Sequence, residues 1–279
     1  MLMRKIKKVL KWLGAMLLVF VISFLGTAAA NDSLSVDQIL TGTKQIVFLG
    51  ENQVSQENSL SQGIDAMESN STLNRLERVF FLKQAVNARI NSANYVKLQD
   101  IPESLQQAVV AVEDRKFYNH WGFDMEGIFR ASLVNLQYGQ VREGASTITQ
   151  QLVKNLFLSQ EQTMGRKAEE FVLAMDMELN YSKDEILELY LNTIYFGSGY
   201  YGIKEASEGY FGKEPAMLAL PESAMLAGIP NAPSLYSPYV DFMLAKKRQF
   251  IVLDAMTAAG YLRESVADDA KIKPIYLAH

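Results

Sequence analysis

The chain has 279 residues, 49% of them hydrophobic, and a net charge of −4, so it can bury the core of one large domain or two small ones. It has no cysteine and only His120 and His279, which excludes disulfides, thiolate metal sites, a cysteine nucleophile and a multi-histidine metal centre. Beyond the first eleven residues, 31 acidic side chains face 22 basic ones, which argues against nucleic acid as a partner.

Residues 1–30 predict a membrane signal. Five basic side chains lie in the first eleven residues, and Trp12–Ala30 carries no charge. As a helix this stretch would span roughly 28 Å, close to the hydrocarbon thickness of a bilayer. The basic flank keeps the N-terminus in the cytoplasm and directs the rest outward. The alternative is a signal peptide cleaved at Ala28-Ala29-Ala30, and both interpretations export the remainder of the chain.

Residues 31–98 are predicted to form a linker and neck. Asn, Asp, Ser, Gln and Gly are frequent in the first half, whereas Leu73–Ile90 has apolar residues at helical spacing. Residues 99–279 are predicted to form one mainly α domain, because strand signals are few there.

The first helix of that domain is predicted to follow Pro102, with Asp100 and Glu103 as a capping box. Its buried stripe is predicted to consist of Leu105, Val109 and Val112. Glu113 lies one turn beyond Val109, at the edge of this apolar face. Partial burial there would raise the pKa of the Glu113 carboxyl, as a general base near neutral pH requires. A solvated run of charges is the alternative when this helix is considered alone.

A second helix is predicted to begin at Ser146 or Thr147, with a buried line formed by Ile148, Leu152 and Leu156. Hydroxyl groups at a helix N-terminus, followed two turns later by Lys154, can bind a phosphate. The alternative is an N-capped helix with polar flanks. Two adjacent glutamines beside two threonines are costly to bury, which favours a binding surface.

A third helix, from about Arg166 to Leu179, would present Arg166, Lys167 and Glu170 on one face. Its core side is predicted to consist of Phe171, Met175 and Leu179. Intrahelical ion pairs are the alternative explanation for the charged face.

A fourth helix is predicted after a capping box of Ser182 and Glu185. Its buried residues are predicted to be Ile186, Leu187, Tyr190 and Leu191. A glycine-bearing turn follows at Tyr195-Phe196-Gly197-Ser198-Gly199. Later helices are predicted to stop at Gly228, Pro230 and Gly260.

Four apolar residues near the first helix are most simply assigned to the core: Trp121, Phe123, Ile128 and Phe129. An apolar patch that dips into the membrane is the alternative. The neighbouring His120 is interpreted as a structural histidine.

Five motifs occur in a fixed order: Glu113-Asp114-x-x-Phe117-x-x-His120-x-Gly122-x-Asp124, Gly144-x-Ser146-Thr147-Ile148-Thr149-Gln150-Gln151, Arg166-Lys167-x-x-Glu170, Ile186-Leu187-Glu188-x-Tyr190-Leu191-Asn192-x-x-Tyr195-Phe196-Gly197, and Leu226-Ala227-Gly228-x-Pro230-x-x-Pro233-Ser234-x-Tyr236-x-Pro238. Over roughly residues 95–275 this pattern resembles the peptidoglycan glycosyltransferase family, found in class A penicillin-binding proteins and in monofunctional transglycosylases. The resemblance implies a mainly α, lysozyme-like glycosyltransferase domain with one N-terminal transmembrane helix.

The resemblance also implies roles for single residues. Glu113 matches the general base, and Glu170 the second catalytic glutamate, thought to orient the acceptor or to assist at the phosphates. Substrate binding, to the lipid pyrophosphate and the sugars, is implied for Lys154, Arg166, Lys167, Ser146, Thr147, Gln150, Gln151 and Asn192. Support of the motifs is implied for Asp114, Phe117, His120, Tyr195 and Gly197.

The implied reaction is polymerisation of lipid II into β-1,4 glycan strands, with inversion and release of undecaprenyl pyrophosphate. The implied partners are lipid II, the growing strand, the membrane and other cell-wall synthesis proteins. The implied location is the bacterial cytoplasmic (inner) membrane, with a single-pass anchor and the catalytic domain outside the cytoplasm. The chain contains no Ser-x-x-Lys and no Lys-Thr-Gly, so no transpeptidase domain is expected and the enzyme is predicted to be monofunctional.

Two positions depart from the family pattern, because Glu169 and Gln162 stand where basic residues are frequent. Both changes remove positive charge near the expected pyrophosphate site. No obligatory cofactor and no self-sufficient metal site are predicted, but a divalent cation (Mg²⁺ or Mn²⁺) can compensate. Two other classes stay open: a lysozyme-like hydrolase of the same polymer and a non-catalytic anchored scaffold.

Overall fold

The structure is a computed structural model that describes residues 81–138, 146–158 and 164–278. The predicted membrane signal, most of the predicted linker and Gln162 lie outside these residues. Within the described part, no helix combines the length and the apolar character that crossing a bilayer demands.

The described residues form helices and turns, with no β-strand among them. The helices are α1 (Leu82–Asn87), α2 (Glu103–Glu113), α3 (Met125–Tyr138), α4 (Ile148–Phe157), α5 (Met164–Asn180), α6 (Lys183–Thr193), α7 (Ile203–Phe211), α8 (Leu220–Gly228), α9 (Pro233–Tyr236), α10 (Phe242–Ala258) and α11 (Glu264–Ile272). Short 3₁₀ turns lie at Ser92–Asn94, Leu98–Asp100, Phe117–Asn119, Pro215–Met217 and Ile229–Asn231. The mainly α prediction is therefore confirmed.

The chain divides into two compact units. One comprises Met1–Phe81 and Ser159–Glu169, and the other Leu82–Leu158 and Glu170–His279. The second unit contains α1 and the two 3₁₀ turns that precede α2. It begins at Leu82, and the predicted division into residues 1–30, 31–98 and 99–279 stays a prediction.

Helix α8 lies at the centre of the second unit. Each of its residues from Pro221 to Gly228 is buried, and it packs between α2 and α10. Leu105 and Val109 of α2 are fully buried, as predicted. The N-cap of α2 is Pro102 without a side-chain hydrogen bond, and Asp100 ends a 3₁₀ turn instead. The predicted capping box of Asp100 and Glu103 is therefore wrong.

Two other helix starts follow their sequence signals. At α4 the Thr147 hydroxyl accepts from the backbone N–H of Gln150, and the Gln150 side chain accepts in return from the N–H of Thr147. Ser182 and Glu185 form the same reciprocal pair at α6, which confirms that prediction. Helices α4 and α6 then pack against each other.

Helix α5 buries a different face from the one predicted. Leu173, Ala174 and Met177 are buried, whereas Leu179 is 69% exposed. The buried face follows from the neighbours, because an added Cβ at Gly122 would lie 3.1 Å from the Ala174 carbonyl oxygen. Periodicity alone permitted either apolar row, and Gly122 packs closely against the helix at the buried row.

The apolar residues around the start of α3 are largely on the surface. Trp121 and Phe129 are each 67% exposed, and Ile128 is 38% exposed. The core assignment of these three residues is therefore wrong, and Phe123 is half-buried against the Phe171 ring. With Met125, which is 66% exposed, they form an apolar surface patch (Trp121, Met125, Ile128 and Phe129).

Candidate active site

Glu113 is the last residue of α2, and its two carboxylate oxygens have different surroundings. Oε2 accepts a hydrogen bond from Gln151 Nε2 at 2.8 Å. Oε1 is enclosed and has no hydrogen-bond partner among the described residues, although other atoms of the residue stay partly exposed. One oxygen is thus fixed by the protein, whereas the other is buried without a protein partner among the described residues.

Burial dominates the electrostatics of Glu113. It raises the pKa of the carboxyl above its ordinary value, and the neighbouring Asp114 raises it further. The hydrogen bond from Gln151 lowers this pKa, as do the positive charges of Arg248 and Lys154. The result is a base stronger than an ordinary glutamate, within the field of two cations.

Gln151 links this carboxylate to the core. The Tyr190 hydroxyl donates to Gln151 Oε1 at 3.2 Å, and Tyr190 is fully buried in α6. The sequence predicted Tyr190 only as a core residue. No spacing signal distinguishes a tyrosine whose hydroxyl reaches the site from one that merely fills the core.

Asp114 joins the first two motifs. It accepts from His120 Nε2 at 2.9 Å and from the backbone N–H of Ile148, the first residue of α4, at 3.1 Å. Phe117 is fully buried, and the Lys183 ammonium lies 4.5 Å from its ring centroid. Asp114, Phe117 and His120 therefore fix the end of α2 against α4 and α6.

The polar residues at the start of α4 have protein partners of their own. The Thr147 hydroxyl donates to the Gly122 carbonyl at 2.7 Å, and Thr147 and Gln150 are both buried in the capping box. Ser146 is exposed. Of this group, only Gln151 touches Glu113.

The predicted binding residue of the fourth motif, Asn192, and two of its predicted supporting residues, Tyr195 and Gly197, act within the protein. Asn192 Nδ2 donates to the Val96 carbonyl at 2.8 Å, and Asn192 Oδ1 accepts from the Val96 N–H at 2.7 Å. The Tyr195 ring lies 4.7 Å from that of Tyr201, and the backbone at Gly197 has a φ of 78°. These residues pin the segment before α2 and the turn after α6.

The second catalytic candidate, Glu170, is 2% exposed. It lies on the same face of α5 as Leu173, Ala174 and Met177, because positions three, four and seven residues apart share a helix face.

The three predicted pyrophosphate-binding cations have different surroundings. Lys154 is half-buried. Arg166 and Lys167 belong to the other compact unit, where Lys167 is exposed.

Arg248 of α10 is a cation that the sequence analysis missed. Its Nε donates to the Gly228 carbonyl at 3.3 Å, and its guanidinium lies 5.5 Å from the Tyr236 ring centroid. A Cβ at position 228 would lie 2.8 Å from Arg248 Cγ. Gly228, which the sequence analysis treated only as a helix stop, therefore gives the arginine room to cross the end of α8.

Metal ligands are sparse around these groups. Across residues 81–138, 146–158 and 164–278, no group of three or more aspartate, glutamate or histidine side chains is arranged to hold a metal ion.

Comparison with known proteins gives a consistent family. Residues 82–257 match the sequence model described as transglycosylase. Penicillin-binding protein 1A of Aquifex aeolicus (strain VF5) is 45% identical over 181 residues, which cover 65% of this chain and 25% of that protein. Penicillin-binding protein 1A of Neisseria gonorrhoeae is 50% identical over 176 residues, 63% of this chain and 22% of that protein.

A crystal structure of penicillin-binding protein 1A from Haemophilus influenzae aligns with a TM-score of 0.40 and 26% identity, over 66% of this chain and 18% of that chain. The chain thus spans about a quarter of the length of the curated relatives it matches. The transglycosylase match covers more than half of the chain. This chain therefore belongs to the transglycosylase family, the peptidoglycan glycosyltransferase family that its motifs predicted.

Proposed function

We propose that this chain polymerises lipid II into β-1,4 glycan strands at the outer face of the cytoplasmic membrane. The observation that carries the proposal is the Glu113 carboxylate, which is enclosed, raised in pKa and held by Gln151 at one oxygen only. A base of this kind suits deprotonation of a sugar hydroxyl near neutral pH.

In the proposed reaction, Glu113 takes the proton from the 4-hydroxyl of the acceptor GlcNAc. That oxygen attacks C1 of the donor MurNAc from the face opposite the leaving group, so the configuration inverts. The C1–O bond to the diphosphate breaks, and undecaprenyl pyrophosphate leaves with the electron pair. Each cycle consumes one molecule of lipid II, forms one β-1,4 bond and adds one disaccharide to the strand.

Negative charge develops on the leaving diphosphate, and fixed cations stabilise it in an enclosed site. Lys154 and Arg248 support this role because their charges reach Glu113. Arg166 and Lys167 are proposed as further pyrophosphate ligands, and Glu170 as the carboxylate that orients the acceptor. A divalent cation is proposed as a helper for the diphosphate, which an assay with and without Mg²⁺ or Mn²⁺ tests.

The membrane setting is part of the proposal. The apolar surface patch offers exposed aromatic rings of the kind that enter a lipid interface, and Trp12–Ala30 is long enough for an anchor. The growing glycan strand and other cell-wall synthesis proteins are the remaining proposed partners.

The test is polymerisation of lipid II by the full chain in detergent or vesicles. We expect Glu113→Gln to reduce the rate by at least about 10²-fold, because the amide cannot accept the proton. Glu264→Gln, an exposed glutamate in the first turn of α11, is the matched control and should keep the wild-type rate.

Polymerisation by Glu113→Gln at the wild-type rate would show that the base is assigned wrongly. Intact sacculi are a second substrate for the same preparations. Release of muropeptides without polymer formation from lipid II would identify a hydrolase instead.

A further inference from the structure

We propose that Tyr190 is a positioning residue that orients the Gln151 amide and, through it, the proton-accepting carboxylate of Glu113. The inference rests on the proposed function for its effect on rate. The hydrogen-bond chain itself, from the buried tyrosine of α6 through Gln151 of α4 to the end of α2, is independent of the substrate.

The two hydrogen bonds of the Gln151 amide have a fixed direction. Gln151 has one accepting end and one donating end, and these contact Tyr190 at 3.2 Å and Glu113 at 2.8 Å. An ionised carboxylate only accepts, so the amide NH₂ must face Glu113. The Oε1 end then faces the tyrosine hydroxyl, which donates to it.

The reversed orientation of the Gln151 amide would be unfavourable at both ends. With the amide turned over, its oxygen would face the Glu113 carboxylate and two acceptors would repel each other. The Tyr190 proton would also lose its acceptor in a fully buried position, and a buried unpaired donor costs free energy. The hydroxyl of Tyr190 therefore selects the orientation in which Gln151 stabilises the ionised base.

The orientation of the Gln151 amide also affects the second carboxylate oxygen of Glu113, Oε1. Because Gln151 binds Oε2, the carboxylate plane is fixed, and Oε1, which has no protein partner among the described residues, is the oxygen proposed to accept the proton. Removing the Tyr190 hydroxyl weakens the preference for this orientation of the Gln151 amide, so the reversed orientation becomes populated. A reversed amide favours protonated Glu113, which raises the pKa of the carboxyl.

The other charges around Glu113 do not depend on Tyr190. Asp114 follows Glu113 in the chain, Lys154 lies on α4 and Arg248 lies on α10. A Tyr190→Phe variant keeps the ring in the core and changes only the hydroxyl. A shift in the Glu113 titration can then be assigned to the amide and not to a lost charge.

The experiment measures the Glu113 pKa by carbon-13 NMR titration of the full chain, together with the pH profile of lipid II polymerisation. For Tyr190→Phe we expect the Glu113 pKa to rise by roughly half a unit. The acidic limb of the pH–rate profile should shift to higher pH by the same amount. The rate on that limb would fall about threefold, since half a unit corresponds to that factor.

Gln151→Ala removes the donor itself and should shift the same titration upward by roughly one unit. Adding Tyr190→Phe to Gln151→Ala should then change nothing further, because the tyrosine acts only through the amide. Tyr210→Phe is the matched control, since it removes another buried hydroxyl, one that bonds Phe196 and Ser237. It should leave the Glu113 titration unchanged.

An unchanged Glu113 titration in Tyr190→Phe would overturn the inference, whatever happens to thermal stability. So would full additivity of the two substitutions. If the wild-type chain makes no polymer, the proposed function fails, whereas the titration still decides whether Tyr190 positions the carboxylate.

Discussion

At the scale of single residues, Glu113 combines enclosure with a single committed hydrogen bond. A buried carboxylate normally gains several donors, which lower its pKa. Among the described residues, Gln151 is the only hydrogen-bond donor to Glu113, and the rise in pKa from burial outweighs the fall from this hydrogen bond. The site therefore keeps a carboxylate that gains stability when it accepts a proton, as a general base must.

The same arrangement destabilises the folded state at neutral pH. Because burial raises the folded-state pKa of Glu113, folding disfavours its charged form. Below the unfolded-state pKa both states are protonated and there is no penalty. As pH rises from the unfolded-state pKa towards the folded-state pKa the penalty grows, and above the folded-state pKa it is complete.

We therefore expect Glu113→Gln to be more stable than wild type at pH 8 by about 1 kcal/mol. The difference should vanish near pH 3, well below the ordinary glutamate pKa, where the wild-type carboxyl is protonated in both states. Thermal unfolding of both proteins at the two pH values measures it. A variant less stable than wild type at pH 8 would contradict a strained, desolvated base.

At the scale of elements, the turn between α6 and α7 depends on glycines for two different reasons. Gly197 and Gly199 both have positive φ, at 78° and 88°. A Cβ at Gly197 would lie 2.6 Å from the Pro233 carbonyl oxygen, whereas a Cβ at Gly199 would meet nothing within 4 Å. Backbone conformation constrains both positions, but close packing constrains only the first.

This difference predicts unequal costs for Gly197→Ala and Gly199→Ala. The positive φ alone costs roughly 1–2 kcal/mol in each variant. The clash with Pro233 should add about 1–3 kcal/mol for Gly197→Ala. Chemical denaturation of the two variants compares them directly. Equal losses would mean that the turn can move away from Pro233 without cost.

At the scale of the whole molecule, polar bonds between distant segments assemble the site. Asp114 ties the end of α2 to the start of α4, and Tyr190 ties α6 to Gln151. Glu188 of α6 accepts from the Tyr95 hydroxyl at 2.8 Å and from the Leu98 N–H at 2.8 Å. The segment before α2 is thereby fixed to the helix that carries Tyr190.

The proposed membrane attachment is also a property of the whole molecule. We expect the full chain to stay with membranes through an alkaline carbonate wash, because a spanning helix resists such extraction. A variant lacking residues 1–30 should be released, since the apolar surface patch alone gives reversible binding. Immunoblots of the wash and pellet fractions report the outcome. Release of the full chain would argue against an anchor.

The sequence predicted some elements correctly and others wrongly. The capping signal at Ser182 predicted the start of α6 correctly, since the residues of such a box contact one another within one turn. The face of α5 and the burial of Trp121 and Phe129 were predicted wrongly. Those properties depend on which other segments pack there, and periodicity contains no information about a partner.

The sequence by itself determined the family and the helical character, because ordered motifs and helix spacing are local properties of the chain. Only the tertiary structure decided that Gln151 holds one oxygen of Glu113, that the Tyr190 hydroxyl bonds that amide, and that Arg248 contributes its charge. These contacts join positions 38 to 135 residues apart, and only packing in three dimensions brings such residues within reach.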